Sequence, residues 1–187
     1  MFQIRIHGRG GQGVVTAAEI LSLAGFSENL HSQAFPSFGS ERMGAPVMAF
    51  CRLDEKEIRL REPVMNPDAL IVQDTTLLHQ VDLFQGLDTR RGYLIINTKK
   101  RYDELGIDEY TGNFLPHHIC TVAATEWALK YIGRPVPNIA LLGAFCALTR
   151  RIRLDSLKKA VLEKFPGEMG EANNKAAAAA YDAIRLN

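Results

Sequence analysis

Four glycines in six residues, Gly8, Gly10, Gly11 and Gly13, constrain this chain more than any other stretch. Before them, Phe2, Ile4 and Ile6 alternate with Gln3, Arg5 and His7, a period of two that predicts a strand. After them, Val14, Val15, Ala17, Ala18, Leu21 and Ala24 recur at helical spacing, unbroken by Pro or Gly. Strand, glycine turn and helix make the opening half of a βαβ unit. The first N–H groups of such a helix have no intrahelical acceptor and sit at the positive end of its dipole, so they form a potential anion site.

Gly8, Gly10 and Gly13 satisfy G-x-G-x-x-G between a strand and a helix. A dinucleotide site also needs an acid roughly 20 residues on, to hold the ribose hydroxyls. That count falls in His31 to Phe35, which has no acid; Glu28 comes too early and Glu41 lies in a loop. Val14-Val15 stand where a P-loop requires Lys-Ser/Thr. Ordinary NAD binding is therefore not expected. Two uses of the turn stay open. Gly8, Gly10, Gly11, Gln12 and Gly13 meet a ligand or partner, or the glycines only permit a tight turn and a close helix–strand approach.

Beyond the first helix, Leu30 to Phe35 reads as a second strand, followed by a loop from Pro36 to Pro46 rich in Pro and Gly. Val47 to Leu53 and Lys56 to Leu60 flank Asp54-Glu55 and predict an antiparallel hairpin inserted into a mostly parallel sheet. Ala69 to Val72 and Tyr93 to Ile96 are continuous apolar runs, as strands buried on both faces should be. Leu77, Leu78, Val81 and Phe84 suggest a helix between them. The remainder turns helical over Ala123 to Ile132, Asn138 to Thr149, Leu157 to Phe165 with Asp155 as its cap, and Met169 to Arg185. The expected fold is α/β: a twisted, mostly parallel sheet with flanking helices, a Rossmann-like first turn and a helical C-terminal part. No repeat and no long linker divides residues 1–187, so a single domain is expected.

A net charge of +1 with scattered basic residues argues against a general nucleic-acid surface. Cys51, Cys120 and Cys146 lie far apart without a CxxC, and support neither a disulfide framework nor an iron–sulfur or zinc site on this chain. The longest strongly apolar run, Ile139 to Leu148, falls short of the ~20 residues that span a bilayer. The chain opens on a strand rather than a basic and apolar leader. Together these point to a cytoplasmic protein that carries no metal and no membrane anchor.

If the first two strands lie side by side in parallel, the glycine turn and the loop Ser37 to Gly44 share one carboxyl edge, where open α/β sheets place ligands. Arg42 in that loop can clasp a phosphate or carboxylate with paired hydrogen bonds, pair with Glu41, or touch a partner subunit, the last being the preferred use. Asp74 ends a buried strand, as a catalytic acid or as the cap of the next helix, the cap being preferred. His7 ends a strand beside the glycines, for ligand or for packing. His117 and His118, adjacent in a strand, would point to opposite faces and not share a metal. No complete catalytic constellation assembles.

Four blocks, GRGGQGVVTAAEIL, PSFGSERMGAPVMAFCRL, NPDALIVQDTTLL and NIALLGAFCA, resemble the gamma subunit of 2-oxoacid:ferredoxin oxidoreductases, in order and over nearly the whole chain. FGSERMGAPV is most similar to the pyruvate type, ahead of the 2-oxoglutarate and branched-chain types. The resemblance implies a multi-subunit enzyme that decarboxylates a 2-oxoacid on thiamine diphosphate. It passes electrons through iron–sulfur clusters to ferredoxin and gives the acyl group to coenzyme A. It also implies that thiamine and clusters sit on partner subunits, that this chain alone is inactive, and that Gly8 to Gly13 and Ser40 to Gly44 meet coenzyme A or a neighbouring subunit. A free-standing nucleotide- or flavin-dependent oxidoreductase and a pure assembly scaffold are the competing readings.

Overall fold

The structure is a computed structural model that describes residues 1–37 and 43–185. Its centre is a six-stranded sheet in the order β2-β3-β1-β4-β5-β6, formed by β1 (Phe2–Arg9), β2 (His31–Pro36), β3 (Pro46–Asp54), β4 (Ala69–Val72), β5 (Tyr93–Asn97) and β6 (Ile119–Val122). Strands β1, β4, β5 and β6 run parallel, and β3 is antiparallel to both β1 and β2. Helix α1 (Val14–Phe26) follows β1, and a single helical turn, α2 (Asp108–Thr111), precedes β6. Four helices complete the chain: α3 (Ala124–Ile132), α4 (Asn138–Thr149), α5 (Leu154–Lys164) and α6 (Glu168–Arg185).

The period of two sorts each strand onto two faces. Ile4 and Ile6 of β1, Ala49 and Cys51 of β3, Ile71 of β4 and Ile95 of β5 share a core with Leu21, Leu141, Phe145, Leu157 and Ala177 from the helices. The alanine run of α6 belongs here: Ala176, Ala177 and Ala180 are buried, where a small side chain lets helices pack closely. Leu70, Val72, Leu94 and Ile96 face the other way, onto Leu77, Leu83, Leu105, Ile107 and Phe114 from the short turns between strands. Those turns cover the β4–β6 half of that face. Its other half carries Arg5 and His7 of β1 and Met48 and Phe50 of β3, which line an open cleft.

The antiparallel insertion exists, with different partners from those expected. Residues 56–60 form no strand; β3 pairs instead with β2 across the loop before it and with β1 along the whole of β1. β3 therefore separates β1 from β2, which are not side by side. Because two antiparallel steps restore direction, β1 and β2 still end at the same edge.

Other expectations shift for local reasons. The stretch from Leu77 folds only a 3-10 turn, Thr75–His79, before irregular chain that buries Leu83 and Leu87. Asp155 lies inside the first turn of α5 rather than before it, and the N-cap is Arg153, whose N–H donates to Glu28 Oε1. His117 and His118 belong to a 3-10 turn ahead of β6, a strand the sequence pattern did not reveal.

Candidate functional site

From β1 the chain crosses to the helical face, and from β4 to the opposite one. The carboxyl ends of these neighbouring parallel strands form a topological switch point, where open α/β sheets hold ligands. A crevice of about 530 Å³ opens there, lined by Gly10, Gly11, Gln12, Gln73, Asp74 and Asn97 among others.

The turn is tied down by its own side chains. Gln12 bridges it: Oε1 accepts the Arg9 N–H at 2.8 Å, and Nε2 donates to Asp74 Oδ2 at 2.8 Å. Asp74 Oδ1 accepts the Thr76 N–H at 3.0 Å and so caps the 3-10 turn. Burial alone would raise the Asp74 pKa, but hydrogen bonds from Thr76 and Gln12 and the charge of Arg9 outweigh it and hold the carboxyl below its ordinary value. The Arg9 guanidinium donates to Thr76 Oγ1, to Gln80 Oε1 at 2.9 Å and to the Gly44 carbonyl at 2.9 Å. Asp74 is a cap and a clamp, as preferred above.

Gly10 exchanges strand-like hydrogen bonds with the end of the following loop: its N–H donates to the Ala45 carbonyl at 2.9 Å, and its carbonyl accepts the Gly44 N–H at 3.1 Å. The glycine turn and the end of the following loop thus do meet at one edge. Arg42, the candidate from that loop, lies outside the described residues.

Two of the glycines are required by packing. A Cβ on Gly8 would stand 2.7 Å from Val14 Cγ2, so glycine permits the close approach of helix and strand. Gly13 is the N-cap of α1 at φ +71°, and the Asn138 amide donates to its carbonyl at 3.2 Å, docking α4 on α1. The N–H groups of Gly11 and Gly13 have no acceptor among the described residues, and α1 has no side-chain cap. An open donor set at a helix N-terminus is therefore present beside the crevice.

Other candidates fall elsewhere. His7 faces away from the turn, into the cleft on the opposite face, at 8% exposure. Burial, with the neighbouring Arg5 charge, pushes its pKa down to about 4, so the imidazole is neutral near pH 7. His117 and His118 touch edge to face at 4.7 Å, and His118 packs on Tyr93. Among the described residues no cluster of three or more His, Cys, Asp or Glu could hold a metal ion. All three cysteines are buried, and burial raises their thiols, Cys120 to about 12.

Sequence reasoning gave no role to Arg9 or Gln73. Arg9 occupies a variable position of the glycine motif, yet it ties the end of β1 to Gly44 and to the turn from Asp74 to Gln80. Gln73 is buried at 1% exposure, and both of its amide atoms lack a partner among the described residues. A polar residue directly after the apolar run Ala69 to Val72, at the carboxyl end of a strand, was the signal available.

Fold and site together define a class: an α/β protein with a glycine turn at the switch point of a mostly parallel sheet, modified by one antiparallel strand beside β1. The family model described as pyruvate ferredoxin/flavodoxin oxidoreductase matches residues 3–183, and the chain belongs to that family. It is 48% identical over 182 residues to the pyruvate synthase subunit PorC of Methanocaldococcus jannaschii, covering 97% of this chain and 96% of that one. It is 44% identical to the pyruvate/ketoisovalerate oxidoreductases common subunit gamma of Pyrococcus abyssi, covering 100% of this chain and 98% of that one. The crystal structure of pyruvate oxidoreductase subunit PORC from Thermotoga maritima superposes with a TM-score of 0.82 at 37% identity, covering 97% of this chain and 95% of that one. The family read from the four sequence blocks is the family found, and these relatives are subunits of an oxidoreductase complex. Among the described residues no helix is long and apolar enough to cross a membrane.

Proposed function

We infer that this chain is the gamma subunit of a pyruvate:ferredoxin oxidoreductase, with thiamine diphosphate and the iron–sulfur clusters held by partner subunits. One observation carries the pyruvate reading: full-length similarity at 43–48% identity to subunits whose names specify pyruvate. The remaining reactants, coenzyme A and ferredoxin, act through the assembled complex. A reconstituted complex should turn over pyruvate faster than 2-oxoglutarate. Faster turnover of 2-oxoglutarate would remove the substrate assignment and leave the family membership untouched.

The crevice at the glycine turn is the place where this chain approaches coenzyme A. Support comes from the open N–H groups of Gly11 and Gly13 at the head of α1, which suit a phosphate oxygen. Partner contact at the same edge is the second reading. It is favoured by Met43, which stands 86% exposed over Gly11, since an exposed large apolar side chain beside a conformationally clamped turn suits a protein surface. In this proposal the chain contributes shape and hydrogen-bond donors, and the bond-making groups belong to other subunits.

A further inference from the structure

The cleft on the uncovered half of the sheet is separate from the glycine turn and has no part in the function proposed above. It measures about 590 Å³, within the range of about 300–1,000 Å³ usual for small-molecule sites. Met48, Phe50, Val64 and Val81 give it apolar walls, and Arg5 and His7 share its floor. Those two residues are two apart on β1, so their side chains leave the same face of the strand.

Arg5 is buried at 5% exposure and forms no ion pair among the described residues. Its Nη atoms donate to four main-chain carbonyls, those of Val64, Met65, Leu83 and Gln85. Its Nε is buried and without a partner, and so is Nε2 of His7. Four carbonyl dipoles orient the guanidinium without neutralising it. Asp82 lies on the cleft wall and acts on Arg5 through its field, without an ion-pair contact. A buried cation with one N–H unused stands beside a neutral imidazole that makes no side-chain hydrogen bond among the described residues, and an oxyanion is the group that would satisfy both. The surrounding walls require that anion to carry an apolar body.

We propose that the Arg5–His7 cleft is a binding site for a small apolar monocarboxylate, its carboxylate set against Arg5 and His7 at the floor and its body packed against Phe50, Met48 and Val64. The carboxylate supplies the charge that the carbonyl ring around Arg5 cannot. Nothing in this assignment depends on the glycine turn or on the 2-oxoacid chemistry of the partner subunits.

The probes are phenylacetate and its uncharged analogue phenylacetamide, added to the full chain while imidazole resonances are followed by NMR. His7→Phe, which keeps the ring and removes both nitrogens, assigns the His7 signal. A bound carboxylate favours the imidazolium, so phenylacetate should raise the His7 pKa from its low starting value. Phenylacetate should bind roughly tenfold more tightly than phenylacetamide, the ratio between a charge-assisted and a neutral hydrogen bond. His7→Phe should weaken phenylacetate by a similar factor. Arg5→Leu removes the charge but also releases four carbonyls, so it is informative only with native circular dichroism; the wild-type titration decides without it. An unmoved His7 pKa at saturating phenylacetate, or equal binding of acid and amide, overturns the proposal. The assembled complex separates a free acid from a carboxylate of a partner subunit: binding of phenylacetate there supports the proposal, and its loss there overturns the free-ligand assignment.

Discussion

Gly13→Ala tests whether the glycine motif is held by backbone geometry and by α4. Gly13 sits at φ +71°, ψ 34°, a left-handed conformation that costs an L-residue about 1–2 kcal/mol. A Cβ there would also overlap the Asn138 amide nitrogen and stand 3.0 Å from Asn138 Cγ. Asn138 would have to swing away, giving up its 3.2 Å hydrogen bond to the Gly13 carbonyl. Leaving that buried amide without its acceptor adds about 1–2 kcal/mol. The expected total is about 2–4 kcal/mol, read as a lower urea midpoint at unchanged slope. For a chain of this length that is a fall in Tm of roughly 5–15 °C. Gly44→Ala is the control, because it shares a positive φ of +77° but the added Cβ meets no atom of the described residues within 4 Å. It should show only the backbone cost of about 1–2 kcal/mol. Combining Gly13→Ala with Asn138→Ala should cost about 1 kcal/mol less than the sum of the single changes, since collision and hydrogen bond disappear together. Equal costs for Gly13→Ala and Gly44→Ala, or an additive double mutant, would refute the reasoning and return the glycine to a ligand-dictated role.

Arg42→Ala in the assembled complex separates the two uses of that residue. If Arg42 contacts a partner, the preferred reading, the complex loosens and activity falls at every coenzyme A concentration. If it contacts coenzyme A, the requirement rises roughly tenfold to a hundredfold, as loss of a charged hydrogen bond would, with complex size unchanged. His7 has a folded pKa of about 4 against an unfolded value near 6.5, so the unfolded chain binds the extra proton between them. Its contribution, roughly 3 kcal/mol, is full above pH 6.5 and lost as pH falls towards 4. His7→Phe should flatten that part of the stability–pH curve, and an unchanged slope in urea titrations at several pH values counts against it. Protein purified alone under anaerobic conditions should contain neither iron nor sulfide in stoichiometric amount and should not oxidise 2-oxoacids, which metal, sulfide and activity assays check. The isolated chain should also self-associate through its partner-binding surface, and a clean monomer across a wide concentration range in sedimentation would contradict that.

Much of the architecture was legible because it is local. Alternation in Phe2 to His7, the apolar runs Ala69–Val72 and Tyr93–Ile96, and helical spacing after Gly13 each report burial through the immediate chain, and each became the element expected. The four family blocks were legible for a different reason: ordered matches over nearly the whole chain carry more information than any one motif. Asp74 as a cap was also readable, since an Asp before Thr75-Thr76 at a strand end is within reach of the N–H two residues on.

Strand partners were not legible. The apolar run Val47 to Leu53 states that the segment is a strand, and β2, β1 or the stretch 56–60 would pair with it equally. Only long-range pairing placed β3 between β1 and β2. The same holds for side chains whose role depends on distant segments. Arg9 acquires its role from Gly44, Thr76 and Gln80, and Arg5 from carbonyls 59 to 80 residues away. Sequence by itself determined the family, the glycine turn and most helices and strands, because periodicity and turn chemistry act over a few residues. The tertiary structure alone decided which strand lies beside β1, that Gly13 is held by Asn138, and that Arg5 and His7 share a buried floor, because each depends on contacts between segments that chain order does not bring together.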